Sequence, residues 1–196
     1  MTESTRYPRT VEIKEGAVTL ELMTPSAEAE VLEFATTLPP HDLLFLRRDI
    51  TEPKVLSAWV RQLETGEITS LLARSADGTI LGCTAVVQDE HSWSPHLGEL
   101  RVLVAPAGRE RGLGRVLIQE SFLIALSLGL EKLTAQMTPD QTSAINVFEE
   151  MGFQPEALLK DHVIDQAGQK HDIVILSHDV ERFQSQMQAY GLTDLY

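Results

Sequence analysis

The chain turns from extended backbone into a helix within VLVAPAGRERGLGRVL, Val102 to Leu117. Apolar residues on the run Leu97 to Val104 predict a strand, Ala105 to Arg111 a loop, and Leu113, Val116, Leu117, Ile124 and Leu128 the buried stripe of a helix over about 112–128. Arg109, Gly112 and Gly114 stand in the spacing RxxGxG at that junction. Glycine is required where peptide N–H groups must come close to an anion, because a side chain there would stand in the way. The helix N-terminus adds partial positive charge, so residues 109–115 read as an anion cradle. A nucleotide P-loop needs Lys and then Ser or Thr after the last glycine, whereas Arg115 and Val116 follow Gly114. A dinucleotide fingerprint needs Gly or Ala where Leu117 stands.

Working outward, Val18 to Leu22 predicts a first strand, and a helix after Pro25 places Val31, Leu32, Phe34 and Ala35 inward, stopping before Pro39 and Pro40. Val55 to Leu63 reads as a second helix. Ser70 to Arg74 and Ile80 to Gln88 flank Ala76-Asp77-Gly78-Thr79, a hairpin signal. After the cradle helix, Lys132 to Met137 predicts a strand. Thr138 as N-cap, Pro139 at the first position and Gln141 completing a capping box then open a helix that Gly152 ends. Ala157 to Ile164 and Lys170 to Ser177 make a terminal hairpin, and Val180, Phe183, Met187 and Tyr190 give an amphipathic tail helix over about 180–190. The tail stripe suits cover for the core or a second subunit in a homodimer. The order of elements predicts a mixed α/β fold, a sheet with helices on both faces, in one domain over 1–196.

Composition narrows the function. Sixteen basic against 29 acidic residues give a net charge of −13, which disfavours nucleic acid as a partner. An anionic cofactor remains compatible, since local N–H groups act inside the roughly 8–10 Å screening length. With 43% apolar and 23% charged residues, and no apolar run long enough to span a bilayer, a soluble cytoplasmic protein without membrane association is expected. Cys83 is the only cysteine, so no internal disulfide forms; within an apolar strand it reads as a small buried hydrophobe rather than a nucleophile.

Two motifs in order carry a family likeness. RERGLG at 109–114 resembles the Q/RxxGxG/A motif of the GCN5-related N-acetyltransferase (GNAT) family, and AINVFEEMGF at 144–153 resembles its later AxxxYxxxGF helix. The resemblance covers about Val18 to Asp179. It implies a mostly antiparallel sheet of six to seven strands with a splay between its central strands. It also implies transfer of an acetyl group from acetyl-CoA, as co-substrate and without a metal, to a primary amine on a small molecule or peptide by direct attack on the thioester. Val102, Leu103 and Val104 then match the positions that pair with the pantetheine arm, with the amides near Leu103 and Val104 polarising the carbonyl. The N–H groups of Arg109, Glu110, Arg111, Gly112, Leu113, Gly114 and Arg115 match those holding the pyrophosphate. Gln141 stands where an asparagine often contacts the cofactor, and Phe148 where a tyrosine often acts as general acid.

Phe148 has no proton to give, yet a thiol of pKa near about 8.5 leaves readily, and a general acid contributes about 10²–10⁴ in rate. Attack needs a neutral amine and therefore a base. The resemblance points to Glu99, on the strand entering the cradle, whose side chain shares a face with Arg101 and has an ion pair with it as the competing role. Asp161, His162 and Asp165 in the last hairpin, and Asp42 and Asp49 between the first helices, match regions bordering the acceptor. His162 and His171 with Asp161, Asp165 and Asp172 offer donors on two hairpin arms, read as acceptor recognition or strand polar residues rather than a zinc set. His91, Trp93 and His96 read as surface or rim. The alternative function is an acyl-CoA-binding regulatory module that kept the cradle and lost turnover.

Overall fold

The computed structural model describes residues 6–180. Its elements are β1 (Arg9–Ile13), β2 (Gly16–Leu22), α1 (Glu28–Thr37), α2 (Pro53–Thr65), β3 (Ile68–Arg74), β4 (Ile80–Val87), β5 (Leu97–Val104), α3 (Leu113–Ser127), β6 (Lys132–Met137), α4 (Thr142–Glu150), β7 (Gln154–Ile164) and β8 (Lys170–Asp179). The strands form one eight-stranded sheet in the order β1-β2-β3-β4-β5-β6-β8-β7. That exceeds the expected six to seven. The additional strand is β1, an edge strand whose residues alternate between partial and full exposure and which therefore has little apolar signal.

Both faces of the sheet are covered. Leu100 packs with Leu113, Leu117, Ile118 and Phe122 of α3 and Phe148 of α4, while Leu103 packs with Val31 and Phe34 of α1 and Leu56 and Trp59 of α2. Even- and odd-numbered β5 residues thus feed opposite layers, as strand geometry requires. Trp59 reaches the sheet through its indole, which donates to Ser70 Oγ at 3.1 Å.

All strand pairs are antiparallel except β5 with β6. Their parallel pairing ends after Leu97↔Lys132, Gly98↔Leu133 and Glu99↔Thr134. Beyond Glu99 the two strands separate, each still held on its far side, β5 by β4 through Val104 and β6 by β8 through Met137. The result is a cleft open toward the C-terminal ends of both strands. Gly98 permits the close approach at its base, where a Cβ would lie 2.6 Å from Leu130 Cδ1 and 2.9 Å from Leu133 Cδ2.

One boundary differs from expectation. α4 starts at Thr142 with Gln141 as its N-cap, not at Thr138. The stretch from Thr138 first closes a turn, Gln141 N–H donating to Thr138 O at 3.0 Å, and this bond takes the carbonyl that an earlier helix start would use. The capping contact itself forms in part, since Gln141 Oε1 accepts the Thr138 N–H at 3.3 Å. Gly152 does end the helix region in the left-handed conformation, at φ 92°. Of the tail stripe only Val180 lies among the described residues. It is fully buried, and its N–H donates to Glu131 O at 2.8 Å. The expected tail helix lies outside them.

Candidate active site

The loop after β5 enters α3 through two left-handed residues, Glu110 at φ 62° and Gly112 at φ 84°. Alternation of hand aims consecutive peptide N–H groups to one side, the geometry of an anion-binding nest. Gly112 is the N-cap of α3 and offers no side-chain cap. Among the described residues the backbone N–H groups of 110–115 have no backbone acceptor, and the first such bond is Val116 N–H to Gly112 O at 3.2 Å. A Cβ built on Gly112 or on Gly114 would meet nothing within 4 Å. A diphosphate fits this place: the donors are unspent, the space is open, and the helix N-terminus favours negative charge. Leu113 points the other way and is fully buried, anchoring the turn.

The arginines around the cradle are tied elsewhere in the fold. Arg109 donates from Nε to Val104 O at 3.2 Å and pairs through its guanidinium with Asp42. Arg111 Nε lies 3.1 Å from Glu15 Oε2, and Arg115 pairs with Glu150.

Along the β5 lip the register assigns each amide. Ala105 N–H donates to Leu81 O at 2.9 Å. With Val104 opposite Gly82 and Leu103 opposite Cys83, alternation gives the Leu103 and Arg101 amides to β4 and turns those of Val102 and Val104 toward the cleft. The Leu103 amide is spent on β4, so Val102 and Val104, rather than Leu103, present cleft-facing backbone donors, and the Leu103 side chain is buried among those of α1 and α2.

Glu99 sits at the base of the cleft with 9% exposure. Its Oε1 accepts from Arg101 Nε at 2.8 Å and its Oε2 lies 3.8 Å from Arg47 NH2. Arg47 belongs to the α1–α2 connection, a contact with no local signature in the sequence. Phe148 is buried against Phe153, ring centroids 4.9 Å apart and nearly perpendicular. It serves the α4–sheet interface as packing.

The remaining candidates divide. Asp42 and Gln141 approach the cleft mouth, Gln141 Nε2 lying 3.5 Å from Asp42 Oδ1. Asp49 is an exposed turn former that accepts from the Thr51 N–H at 2.9 Å. Asp161 and His162 are exposed, Asp161 at a bulge where its own N–H donates to Asp172 Oδ1 at 2.8 Å. Asp165 closes the β7–β8 turn and pairs with His171 Nε2 at 2.8 Å. Sequence reasoning missed His41, whose Nε2 lies 2.8 Å from Asp140 Oδ2 and 3.2 Å from Thr138 Oγ1, with its ring 5.2 Å from that of His171. These partners lie far apart in the chain, and only the fold joins them.

His91, Trp93 and His96 are exposed. Cys83 is buried, and burial pushes its thiol up to about 12. Among the described residues no group of three or more His, Cys, Asp or Glu is placed to hold a metal ion, and no helix is long and apolar enough to cross a membrane.

Comparison with known proteins agrees with this architecture. The chain is 31% identical over 90 residues to streptothricin acetyltransferase of Streptomyces lavendulae, an alignment covering 46% of this chain and 47% of the relative, so it spans about half the relative's length. The fold resembles spermidine N-acetyltransferase of Vibrio cholerae, solved with CoA and spermine, at TM-score 0.72 and 15% identity over 85% of this chain and 98% of that one. It also resembles a putative acetyltransferase of Salmonella typhimurium solved with acetyl-CoA, at TM-score 0.71 and 17% identity over 83% and 94% of the two chains. The sequence model of the acetyltransferase (GNAT) family matches residues 35–153, more than half of the chain. With its nest of free amides beside two parting strands, the chain belongs to the acetyltransferase (GNAT) family.

Proposed function

We propose that this chain acts as one acyltransferase domain that moves an acetyl group from acetyl-CoA to the primary amine of a small cationic acceptor. The observation that carries the reading is the row of unspent N–H groups at 110–115, with open space over Gly112 and Gly114 at the mouth of the β5–β6 cleft. Acetyl-CoA, when bound, supplies the acyl group as an activated thioester. The nest and the α3 N-terminus hold the diphosphate. The amides of Val102 and Val104 bind the arm along β5 and oppose negative charge developing on a carbonyl oxygen in the cleft. A cationic acceptor is favoured by the net charge of −13 and by Glu99, which an ammonium can claim from Arg101 and Arg47 before the carboxylate takes its proton. The streptothricin and spermidine acetyltransferases it resembles make their named amines the first acceptors to try.

Phe148 supports a second reading, a domain that binds acyl-CoA and does not turn it over, because no hydroxyl stands at that buried position. One assay separates the two. Thiol release from acetyl-CoA with pooled polyamines, aminoglycosides, streptothricin and amino acids is expected for the enzyme. Thermal stabilisation by CoA without thiol release across all pools would favour the binding module. Gly114→Glu is expected to abolish CoA binding, checked by calorimetry, since its Cβ meets nothing in the fold while its carboxylate enters the cradle. Glu99→Gln is expected to lower kcat/KM for the acceptor by about 10²–10⁴-fold, with the loss greatest below the pKa of the amine.

A further inference from the structure

The α1–α2 connection crosses the mouth of the cleft and fastens to both of its lips. Its 3-10 turn, Pro40–Leu43, carries Asp42. One Asp42 oxygen pairs with Arg109, on the loop that leaves β5, and the other accepts from Gln141 Nε2 at 3.5 Å, at the start of α4 beyond β6. The preceding residue, His41, reaches the β6 lip through Asp140 and Thr138.

The turn itself is rooted. Leu43, Phe45 and Leu46 are buried in the layer formed by α1 and α2, and Asp42 N–H donates to Pro39 O at 2.9 Å. Arg109 is the more exposed partner, 43% of its side chain against 23% for Asp42. Its backbone opens the loop of the nest while its guanidinium is turned to Asp42, which occupies it with an oxyanion of the kind a diphosphate would present.

We propose that Asp42 is a positioning residue of the donor site. It acts through Arg109, holding the guanidinium away from the cradle, so that an anionic donor settles on 109–115 by exchanging one oxyanion for another at Arg109. This inference rests on the functional reading above, since it presumes that CoA occupies the nest. Asp42 therefore weakens donor binding in two ways: it must surrender its partner, and it leaves an uncompensated negative charge near the diphosphate. An amide at the same position keeps the shape and the contact with Gln141 but not the charge. A purely structural role predicts the opposite sign, because losing a structural contact does not tighten a ligand.

Calorimetric titration of CoA into wild type, Asp42→Asn, Arg109→Gln and the double variant tests the proposal without reference to turnover. Asp42→Asn is expected to bind CoA about threefold to tenfold more tightly than wild type, as removal of one partly exposed charge allows. KM for acetyl-CoA is expected to fall by the same factor. Arg109→Gln is expected to weaken binding and, in that background, to shrink the gain from Asp42→Asn to the part that comes from its charge alone. Equal or weaker binding by Asp42→Asn overturns the proposal, as does an undiminished gain in the double variant. Failure of wild type to bind CoA at all would instead overturn the functional reading, and this inference with it.

Discussion

Gly112 and Gly114 lie in one short motif and answer different demands. At φ 84° Gly112 holds a conformation that side chains resist, whereas Gly114 lies within the first turn of α3 and is free of neighbours. Gly112→Ala is therefore expected to cost about 1–2 kcal/mol from left-handed backbone strain. Gly114→Ala is expected to leave stability unchanged or raise it by up to about 1 kcal/mol through helix propensity. Urea unfolding of the two variants checks the contrast. If glycine serves at 114 to admit a ligand rather than to shape the backbone, CoA affinity falls in Gly114→Ala while stability does not. The glycines were legible in the sequence because spacing encodes both the turn and the close approach. The pair of Glu99 with Arg101 was legible from alternation, but Asp42 on Arg109 and Arg47 on Glu99 were not, because both reach the site only after α1, α2 and the sheet have packed. Cys83 was legible from its place within an apolar strand, and its burial and raised thiol predict no labelling by alkylating reagents in the native protein near neutral pH.

At the scale of elements, alternation and caps located the central strands and α3 closely, and failed where a turn competes with a helix or a strand lies at an edge. Thr138 and Gln141 have the chemistry of a capping box, yet the turn they close delays α4 to Thr142. β1 escaped notice because Val11 and Ile13 sit among charged residues on a half-exposed edge. The β7–β8 hairpin was read correctly in kind, and its turn holds a titratable anchor. Asp165 accepts from His171, from Gln169 N–H and from Ala167 N–H, and these bonds hold its carboxyl below the ordinary carboxylate range. A lowered folded-state pKa means that its contribution is complete above the unfolded value near about 3.9 and vanishes as pH falls through the folded value. The hairpin tip is therefore expected to stay closed through mildly acidic pH and to loosen only below that range. NMR titration of the Asp165 carboxyl, with amide exchange at Ala167 and Gln169, reads this directly; Asp165→Ala should show fast exchange at both amides at every pH.

Across the whole molecule, the helix that presents the cradle is clamped to the start of the described chain by a buried charge. Glu120 of α3, 4% exposed, accepts from Tyr7 Oη at 2.7 Å and lies 3.4 Å from Arg6 Nε and 3.3 Å from Arg9 NH1. Burial and the adjacent Glu120 push the Tyr7 phenol well above its ordinary value, so it remains a donor throughout the usable pH range. The strand missed in the sequence, β1, is thus bound to the sheet by β2 on one side and to α3 through this cluster. Removing Glu120 leaves the buried Tyr7 hydroxyl without its acceptor, at a cost of about 1–3 kcal/mol, while Arg6 and Arg9 are part-exposed and can turn to water. Glu120→Ala is accordingly expected to lower Tm by about 2–12 °C for a chain of this size, and Glu120→Gln by less, because the amide still accepts from the Tyr7 hydroxyl. Glu120 stands mid-helix, about two turns from the nest, so the clamp either reaches the cradle through the helix or stabilises the fold alone. Calorimetry of CoA binding by Glu120→Gln, well below its transition, decides that: an unchanged affinity means the clamp stabilises the fold alone, and a weakened one means β1 helps to set the N-terminus of α3 against the cleft.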